Sequence, residues 1–535
     1  MINMARNRNR TRGNGTQGSK VPATSNSKLM KLASAVGGAQ PIGLPFPQWS
    51  IQKTAEESGT GPLKMNNNGM YQPGIMTMGI WLNPGISEDG ASAINIAGKN
   101  LFANMRKYNT GYAPYEQSDV TMYLYAFTSA LAMHAEFTRA LGLTNLPRSA
   151  TLRYVPKVLV ESLGYDYDDL IENKRKLATQ LEKFAEALNT FFIPALPYVQ
   201  AATAYVSTVF TENQGDYGQM YAFGLTHSYQ WNETPTQGGT PYLQPVVMPY
   251  FNASQNHFDK LATYSDIKSL MTNVKESLLA STTYTFISSD LSKTGMNSVQ
   301  VASYDEQYVC NPVYSEEMLR KITNLRIAPD PALKADSSGK ITANRVEQEV
   351  GVGIIYRPKF SKITPDSMVN PEGLWLLMAP ATLDMNKDSW TDEDTASALE
   401  LSFPAVITAN TGGSTGDPEI IVNHIPPIMA CCAYIIIPQG DTVIDSGTIP
   451  VNVGYFDGDG VSAMNSIAGM SNFSGAPHLP IAGKTNGSDG MTVTVRCYTG
   501  DTTRLQIVPN ETLQEMIDAR LWGYFGLPDT FGLQH

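Results

Sequence analysis

The distribution of charge divides this chain into two unequal parts. No Asp or Glu occurs before Glu56, whereas eight Lys and Arg side chains give residues 1–55 a charge of +8. The rest of the chain carries 30 basic and 49 acidic groups, a net charge of −19. A segment this cationic and this poor in large apolar residues cannot bury enough surface to offset the entropy of ordering it. We therefore predict a flexible basic N-terminal arm over residues 1–55 and a folded acidic body after it.

The arm has the composition of a nucleic-acid-binding segment. Arg recurs at every second position from Arg6 to Arg12, and guanidinium groups form bidentate hydrogen bonds with phosphate. No aromatic residue lies between Arg6 and Lys31, so we expect binding to RNA without sequence preference. A nuclear-localisation signal and an inert tail remain open alternatives. The candidate nucleic-acid-binding residues are Arg6, Arg8, Arg10, Arg12, Lys20, Lys28 and Lys31.

The body has fewer charged residues than a typical globular protein. Charged residues make up 16% of the chain, against about 25% on average, while apolar residues make up a normal 42%. Charge is depleted in the centres of protein interfaces, so this composition favours a subunit that buries much of its surface against other subunits. A weakly charged, β-rich secreted protein is the alternative that composition leaves open.

Residues 56–300 are predicted to form a mainly helical domain. Apolar side chains recur every three or four residues over 119–143, which indicates a helix that is buried on most sides. A second helix is expected to begin at the acidic residues 166–169 and to carry one continuous apolar stripe. That stripe consists of Leu177, Leu181, Phe184, Leu188 and Phe191. Two further helices are predicted over Tyr198–Phe210 and His257–Ser281.

After about residue 281 the sequence changes to short apolar runs separated by Gly, Asn, Asp and Pro, which is typical of strands and turns. We predict a β-rich region over 301–504 and a C-terminal segment, 505–535, whose helix at 511–522 returns to the helical domain. The expected fold class is α+β. The predicted strands are Val352–Tyr356, Leu374–Met378, Phe403–Thr408, Glu419–Val422, Ile428–Ile437, Val451–Tyr455, Met491–Cys497 and Leu505–Val508.

The cysteines and the apolar runs bear on the cellular compartment. The four cysteines are too few and too scattered for a disulfide framework or a zinc site, so we expect no disulfide. Residues 1–12 are basic and polar, without the apolar segment of a signal peptide behind them. The longest apolar run, Ile428–Ile437, is about half as long as a membrane-spanning helix. We expect synthesis in the cytosol, no integral membrane segment and no cofactor. The cysteines are Cys310, Cys431, Cys432 and Cys497.

The sequence holds no complete catalytic motif. The six histidines are isolated from one another, and we interpret His134, with Glu136 and Arg139, as satisfied core or rim groups. Residues 412–416 match the G-x-S-x-G pattern around Ser414, but a strand and not a helix follows, so a surface loop is favoured. We predict that the chain is no enzyme, with a serine hydrolase using Ser414 as the alternative.

One peptide bond is chemically labile. Gly69 leaves the asparaginyl bond of Asn68 without steric protection, so this bond is a candidate site of cleavage. The signal is not specific, because Asn-Gly pairs also occur at 14–15 and 486–487.

Short motifs spread over residues 112–223 carry a family resemblance. They are Tyr112-Ala113-Pro114, Asp119–Leu124, Arg153–Pro156, Leu163–Leu170, Phe192–Tyr198 and Gln219–Phe223. Together they resemble the capsid proteins of picobirnaviruses, which are non-enveloped viruses with a double-stranded RNA genome. The motifs cover about a fifth of the chain and are structural in character.

The resemblance implies a structural protein of the virion that forms intertwined homodimers, many of which close an icosahedral shell around viral RNA. It implies a mainly helical shell domain and an outward projecting domain, for which the β-rich region 301–504 is the candidate. It also implies N-terminal processing in some members, contact with host membranes during entry, and no catalytic site. A non-viral nucleic-acid-binding protein is the second alternative, beside the serine hydrolase.

Overall fold

The computed structural model describes most of the acidic body. Residues 6–31 of the arm, the Asn68-Gly69 bond, the predicted strand 374–378 and Ser414 lie outside the described residues. The described residues are 49–50, 64–65, 74–146, 156–212, 218–234, 239–254, 258–337, 339–361, 381–385, 389–404, 407–410, 419–439, 442–448, 453–455, 470, 473–487, 490–500 and 504–525.

Helices and strands alternate along the described chain, in agreement with the predicted α+β class. The helices are α1 Ala93–Tyr108, α2 Gln117–Thr144, α3 Pro156–Ser162, α4 Tyr167–Glu172, α5 Lys174–Asn189, α6 Pro197–Val206, α7 Tyr264–Ala280, α8 Thr282–Ser292, α9 Glu316–Thr323, α10 Asp392–Ala398 and α11 Asn510–Phe525. The strands are β1 Trp49–Ser50, β2 Lys64–Met65, β3 Ile75–Leu82, β4 Val209–Thr211, β5 Met220–Leu225, β6 His227–Glu233, β7 Pro241–Val247, β8 Val313–Tyr314, β9 Glu347–Glu349, β10 Gly353–Ile355, β11 Ala381–Asp384, β12 Ile407–Asn410, β13 Glu419–Val422, β14 Ile428–Gln439, β15 Thr442–Thr448, β16 Val453–Tyr455, β17 Pro480–Gly487, β18 Gly490–Tyr498 and β19 Leu505–Val508.

A six-stranded sheet with the strand order β15-β14-β3-β5-β4-β8 lies in the body. β3 pairs in parallel with β5 and antiparallel with β14, so it joins strands from distant parts of the chain. Every side chain of β3 is buried. A strand that is covered on both faces has a nearly continuous apolar sequence, and residues 75–82 have this pattern.

The long helix α2 is the most buried helix of the body and confirms the helix predicted over 119–143. It begins at a capping box, in which the Glu116 amide donates to Asp119 Oδ2 at 2.8 Å while the Glu116 side chain accepts from the backbone of Asp119. α2 contacts α5, α6 and β6, and nearly all of its residues are buried. A helix that is covered on all sides shows little amphipathic contrast, as this sequence does.

The predicted second helix is two helices in the structure. Asp166 caps α4 by accepting from the Asp169 amide at 3.0 Å, as expected for an acid at a helix start. Asn173 separates α4 from α5, and its side chain donates to the Asp169 carbonyl at 3.1 Å. Asn competes in this way for backbone hydrogen bonds and interrupts helices. The stripe is buried as predicted at Leu177, Leu181, Phe184 and Leu188, and Phe191 is partly buried.

Two further helix boundaries were wrong. The third predicted helix ends at Val206, and Phe210 lies instead in β4, where it pairs with Tyr221. The fourth begins at Tyr264, after a capping box formed by Thr263 and Asp266, and so excludes residues 257–263. Leu261 therefore lies outside the helix and is 52% exposed.

Strands β3 to β7 lie in the region that was predicted to be mainly helical, and β14, from the predicted β-rich region, lies beside β3. One apolar core includes residues from Ile75 to Phe525. A smaller core joins β11 and β19 to α10 and α11. The predicted division of the chain into domains therefore remains a proposal, taken up below.

The strands β13 and β19 match their predictions, and β10, β14, β16 and β18 agree within a few residues. The predicted C-terminal helix is present as α11, which contacts α1 and α6. Its Phe525 ring lies 5.4 Å from that of Tyr125 and 5.1 Å from that of Tyr198. In the described part of the chain, no helix combines the length and the apolar character needed to cross a membrane.

Candidate nucleic-acid and assembly surfaces

The arm cations and the candidate cleavage bond lie outside the described residues. The arm residues are Arg6, Arg8, Arg10, Arg12, Lys20, Lys28 and Lys31, and the bond joins Asn68 and Gly69. Ser414, the nucleophile of the hydrolase alternative, also lies outside the described residues.

Two histidines are core residues. Burial lowers the pKa of His134 to about 4 and the pKa of His227 to about 3. The His134 ring stacks on Phe184 with centroids 6.2 Å apart, and His227 packs edge-on against Trp81 at 5.5 Å. Neutral imidazoles in aromatic surroundings serve packing, so the interpretation of His134 as a core group is confirmed.

Two other histidines pair with carboxylates at the contacts between elements. His424 Nδ1 lies 3.3 Å from Asp518 Oδ1 of α11, beside a cavity of about 240 Å³. His478 Nε2 lies 3.2 Å from Asp384 Oδ2, and its Nδ1 lies 2.7 Å from the Thr499 carbonyl. Among the described residues, no group of three or more His, Cys, Asp and Glu side chains is arranged to hold a metal ion.

Glu136 and Arg139 form a fully buried ion pair at 3.1 Å on α2. Arg139 also donates to the Phe223 carbonyl at 2.5 Å, and Glu136 accepts from the Leu225 amide at 3.2 Å. Burial raises the pKa of Glu136 to about 7, while the guanidinium of Arg139 acts in the opposite direction. The pair thus fixes α2 against β5, and both residues are core groups as predicted, although Arg139 Nε has no hydrogen-bond partner among the described residues.

A second charged network attaches the C-terminal helix. Lys321 of α9 lies 2.7 Å from Glu400 and 3.0 Å from Glu317. Glu400 also accepts a hydrogen bond from the Tyr524 hydroxyl of α11. The cationic neighbours lower the pKa of Glu400 despite its burial. The network as a whole was not visible in the sequence, because Lys321, Glu400 and Tyr524 lie far apart along the chain.

The three cysteines whose side chains are described, Cys310, Cys431 and Cys432, are buried, and none is in a disulfide. Burial raises the pKa of the Cys310 thiol. These thiols therefore serve as small apolar groups.

The segment 304–314, here called the edge segment, exposes several apolar side chains. Tyr304, Val309, Val313 and Tyr314 are between 37% and 47% exposed. Val313 and Tyr314 form β8, which pairs only with β4 among the described strands and so ends the six-stranded sheet. An exposed sheet edge with apolar side chains is a surface suited to contact with another protein chain.

Comparisons with known proteins agree with the resemblance seen in the motifs. A family model described as "Picobirnavirus, Capsid protein" matches residues 26–437. A similar curated protein is the capsid protein precursor of Human picobirnavirus (strain Human/Thailand/Hy005102/-), which is 27% identical over 331 residues. That match spans 60% of this chain and 58% of the relative, which is less than two thirds of the relative's length.

Among solved structures, the fold is similar to the X-ray crystallographic structure of the picobirnavirus capsid. The TM-score is 0.69, and the similarity covers 92% of this chain and 95% of the other. The sequence identity in this comparison is 16%, so the comparison shows a shared fold.

Proposed function

The chain belongs to the picobirnavirus capsid protein family, and from this premise we propose that it assembles as homodimers into a closed icosahedral shell that packages viral RNA through the basic arm. Its role is that of a structural protein of the capsid, and its location is the virion. Synthesis in the host cytoplasm is part of this proposal and rests on the expectation from the sequence.

The observation that carries the proposed packaging of RNA is the contrast in charge. The first 55 residues hold eight cations and no acid, whereas the rest of the chain carries −19. A polyanion is repelled by an acidic body and attracted by a flexible cationic arm. The arm therefore supplies the strongest local attraction for RNA in the sequence.

The test compares RNA content in particles of the wild-type chain and of two variants. One variant lacks residues 1–45, and the other is full-length but has Gln at Arg6, Arg8, Arg10, Arg12, Lys20, Lys28 and Lys31. We expect both to form closed particles with a much lower 260/280 nm absorbance ratio, because the cations that contact the phosphates of RNA are gone. In filter binding, each lost phosphate contact should also lower the slope of log affinity against log salt by about 0.7 to 0.9. Equal RNA content in all three would contradict the proposal.

The edge segment supports the proposed self-assembly. Apolar side chains exposed at the end of a sheet are stabilised when a second copy covers them, since burial of apolar area drives association. Native mass measurement tests assembly directly. Megadalton particles are expected, whereas a purified protein that stays monomeric would contradict it.

The proposed domain organisation keeps a shell domain over 56–300, a projecting region within 301–504, and a return of 505–535 to the shell. The contact of Phe525 with Tyr125 and Tyr198 supports the return. The pairing of β14 with β3 supports a place for β14 on the shell side, and we propose a projecting region without residues 428–439. Electron microscopy of particles with and without antibody fragments against 480–498 tests this assignment.

Two further proposals concern maturation and entry. Cleavage at Asn68-Gly69 would release the cationic segment from the body, and the mass of the chain in mature particles tests it. Contact with host membranes is proposed from the family alone, and release of dye from liposomes by purified particles tests it. Particles that retain the full-length mass or leave liposomes intact would contradict the respective proposal.

The serine-hydrolase alternative depends on Ser414. Replacement of Ser414 by Ala should leave assembly and RNA content unchanged if this residue lies in a surface loop, because surface substitutions usually change stability by about half a kcal/mol or less. Esterase activity that is present in the wild type and lost in the variant would favour the alternative.

A further inference from the structure

We infer that the folded body has its own surface for binding single-stranded RNA, formed by the exposed side of α1 and the turn that follows it. This α1 surface consists of Lys99, Asn100, Lys107, Tyr108 and Tyr112. The inference rests on the proposed packaging of RNA and extends it, because it assigns base contacts to a part of the chain other than the arm.

The first observation is local charge. No acidic residue lies between Asp89 and Glu116, whereas Lys99, Arg106 and Lys107 lie in that interval. Lys99 and Lys107 are exposed. They are eight residues apart, which is little more than two helical turns, so they project from one side of α1 about 12 Å apart along its axis. The two lysines form a cationic stripe on an acidic body, and at its start Lys99 also donates to the Gly90 carbonyl at 2.9 Å and lies near Asp89.

The second observation is the pair of tyrosines at the end of the stripe. Tyr108 is 55% exposed and Tyr112 is 92% exposed. Aromatic rings held in solvent beside cations are the elements with which proteins bind single-stranded nucleic acid, because bases stack on the rings while the cations contact phosphates. The arm lacks such rings between Arg6 and Lys31.

The turn that carries the tyrosines is fixed to the body. Arg106 donates through Nη2 to the Gly111 carbonyl. Asn109 donates to the Asp290 carbonyl at 3.0 Å, and the Tyr115 hydroxyl donates to Asp290 Oδ2 at 2.6 Å. A platform held in place binds with a smaller loss of conformational entropy than a flexible segment does. The acid at this turn, Asp290, is itself paired with Lys293 at 3.0 Å.

Composition distinguishes the α1 surface from a contact between copies of the chain. The exposed positions of α1 include Lys99, Asn100, Ala103 and Lys107. Lys and Ala are depleted in protein interfaces, whereas Lys is used to contact phosphate. The two surfaces both expose tyrosines, but the edge segment combines them with exposed Val309 and Val313 and with the acids Asp305 and Glu306 in place of lysines. RNA is therefore the partner that fits the α1 surface.

Ultraviolet cross-linking of full-length, RNA-containing particles tests the base contacts. After digestion by nuclease and protease, mass spectrometry should find nucleotide adducts on Tyr108 or Tyr112. The variant Tyr112→Ala should lose the adduct on this residue and still assemble, because its ring makes few contacts with the body. The matched control Tyr314→Ala removes an exposed tyrosine of the edge segment and should leave these adducts unchanged.

The phosphate contacts are tested by filter binding of the unassembled full-length protein to labelled oligouridylate at several salt concentrations. The double variant Lys99→Gln with Lys107→Gln should lower the slope of log affinity against log salt by about 1.4 to 1.8. The control pair Lys260→Gln with Lys268→Gln removes two exposed lysines elsewhere and should leave the slope unchanged.

Two results would overturn this inference and leave the proposed packaging of RNA intact. Adducts confined to residues 1–31, with an unchanged slope in the α1 lysine variant, would show that only the arm contacts RNA. Loss of particles in Tyr112→Ala would show that the surface is a contact between copies. Wild-type particles without RNA would instead contradict the proposed packaging, and the inference with it.

Discussion

Leu181 lies on the buried side of α5 and is 2% exposed. The variant Leu181→Asp would place a carboxylate without a partner in the apolar core and remove the packing of the leucine. We expect it to lower the free energy of unfolding by at least about 3 kcal/mol, measured by urea denaturation of the unassembled protein. The control Lys183→Asp changes an exposed residue of the same helix and should have little effect. Particles at normal yield from Leu181→Asp would refute the burial of this stripe.

His134 should make the body sensitive to acid. Its folded-state pKa is about 4, whereas an unfolded histidine titrates near about 6.5. Between these values the unfolded chain binds more protons, so stability is lost as the pH falls from about 6.5 to about 4. His227 acts in the same direction, and Glu136, with its raised pKa, acts in the opposite one.

The contribution of His134 is therefore measured as a difference. The melting temperature of wild type minus that of His134→Gln, recorded from pH 7 to pH 4.5, should fall as the pH falls. A difference that is constant with pH would show that His134 is not kept neutral by its surroundings.

Helix α11 is attached to the rest of the body through Tyr524. Tyr524 is 9% exposed, donates its hydroxyl to Glu400, and has its ring 5.5 Å from that of Tyr198. We expect Tyr524→Ala to lower the free energy of unfolding by about 3 kcal/mol, as truncations of aromatic side chains in protein cores do. Amide hydrogen exchange of residues 510–525 should accelerate in this variant. It should remain slow in the control Trp522→Ala, because that side chain is 38% exposed; equal protection in all three chains would contradict the assignment.

Elements whose apolar residues recur with a clear period were predictable from the sequence. Elements whose secondary structure depends on partners far along the chain were not. Helix α2 was predicted from the three- and four-residue spacing of its apolar side chains. Strands β13 and β19 were predicted from the turn residues around them. β3 carries a continuous apolar run that local reasoning cannot separate from a helix, and its partners lie more than 130 residues away in β5 and β14. The end of the third predicted helix was misplaced because Val209–Thr211 form β4, which pairs with β5, a strand that begins only at Met220.

The candidate sites follow the same distinction. The arm was predicted from charge alone and stays a prediction, since cations can be recognised in a sequence without a fold. The α1 surface needed the structure, because exposure of Tyr112 and the contact of Asn109 with Asp290, 181 residues later, are tertiary facts. The acid-free interval between Asp89 and Glu116 was the one signal in the sequence that pointed to it.

At the scale of the whole molecule, the edge segment should control assembly without controlling folding. The variant Val313→Lys places a charge on a residue that is 47% exposed, so the fold should persist while contact with a second copy is lost. Sedimentation velocity should then show a folded small species in place of particles. The control Val350→Lys changes a residue that is 82% exposed elsewhere and should still assemble. Normal particles from Val313→Lys would exclude the edge segment from the subunit contacts.

The position of β3 also has a consequence for synthesis on the ribosome. Thr77 of β3 donates to the carbonyl of Tyr434, 357 residues later in the chain. At about 5 to 20 residues per second, translation takes roughly 20 to 70 s to supply that partner. During this interval β3 has an unpaired edge made of apolar residues, which is prone to aggregation. The nascent chain therefore needs a chaperone or a slow, late closure of the sheet, and assembly can begin only after most of the chain has emerged.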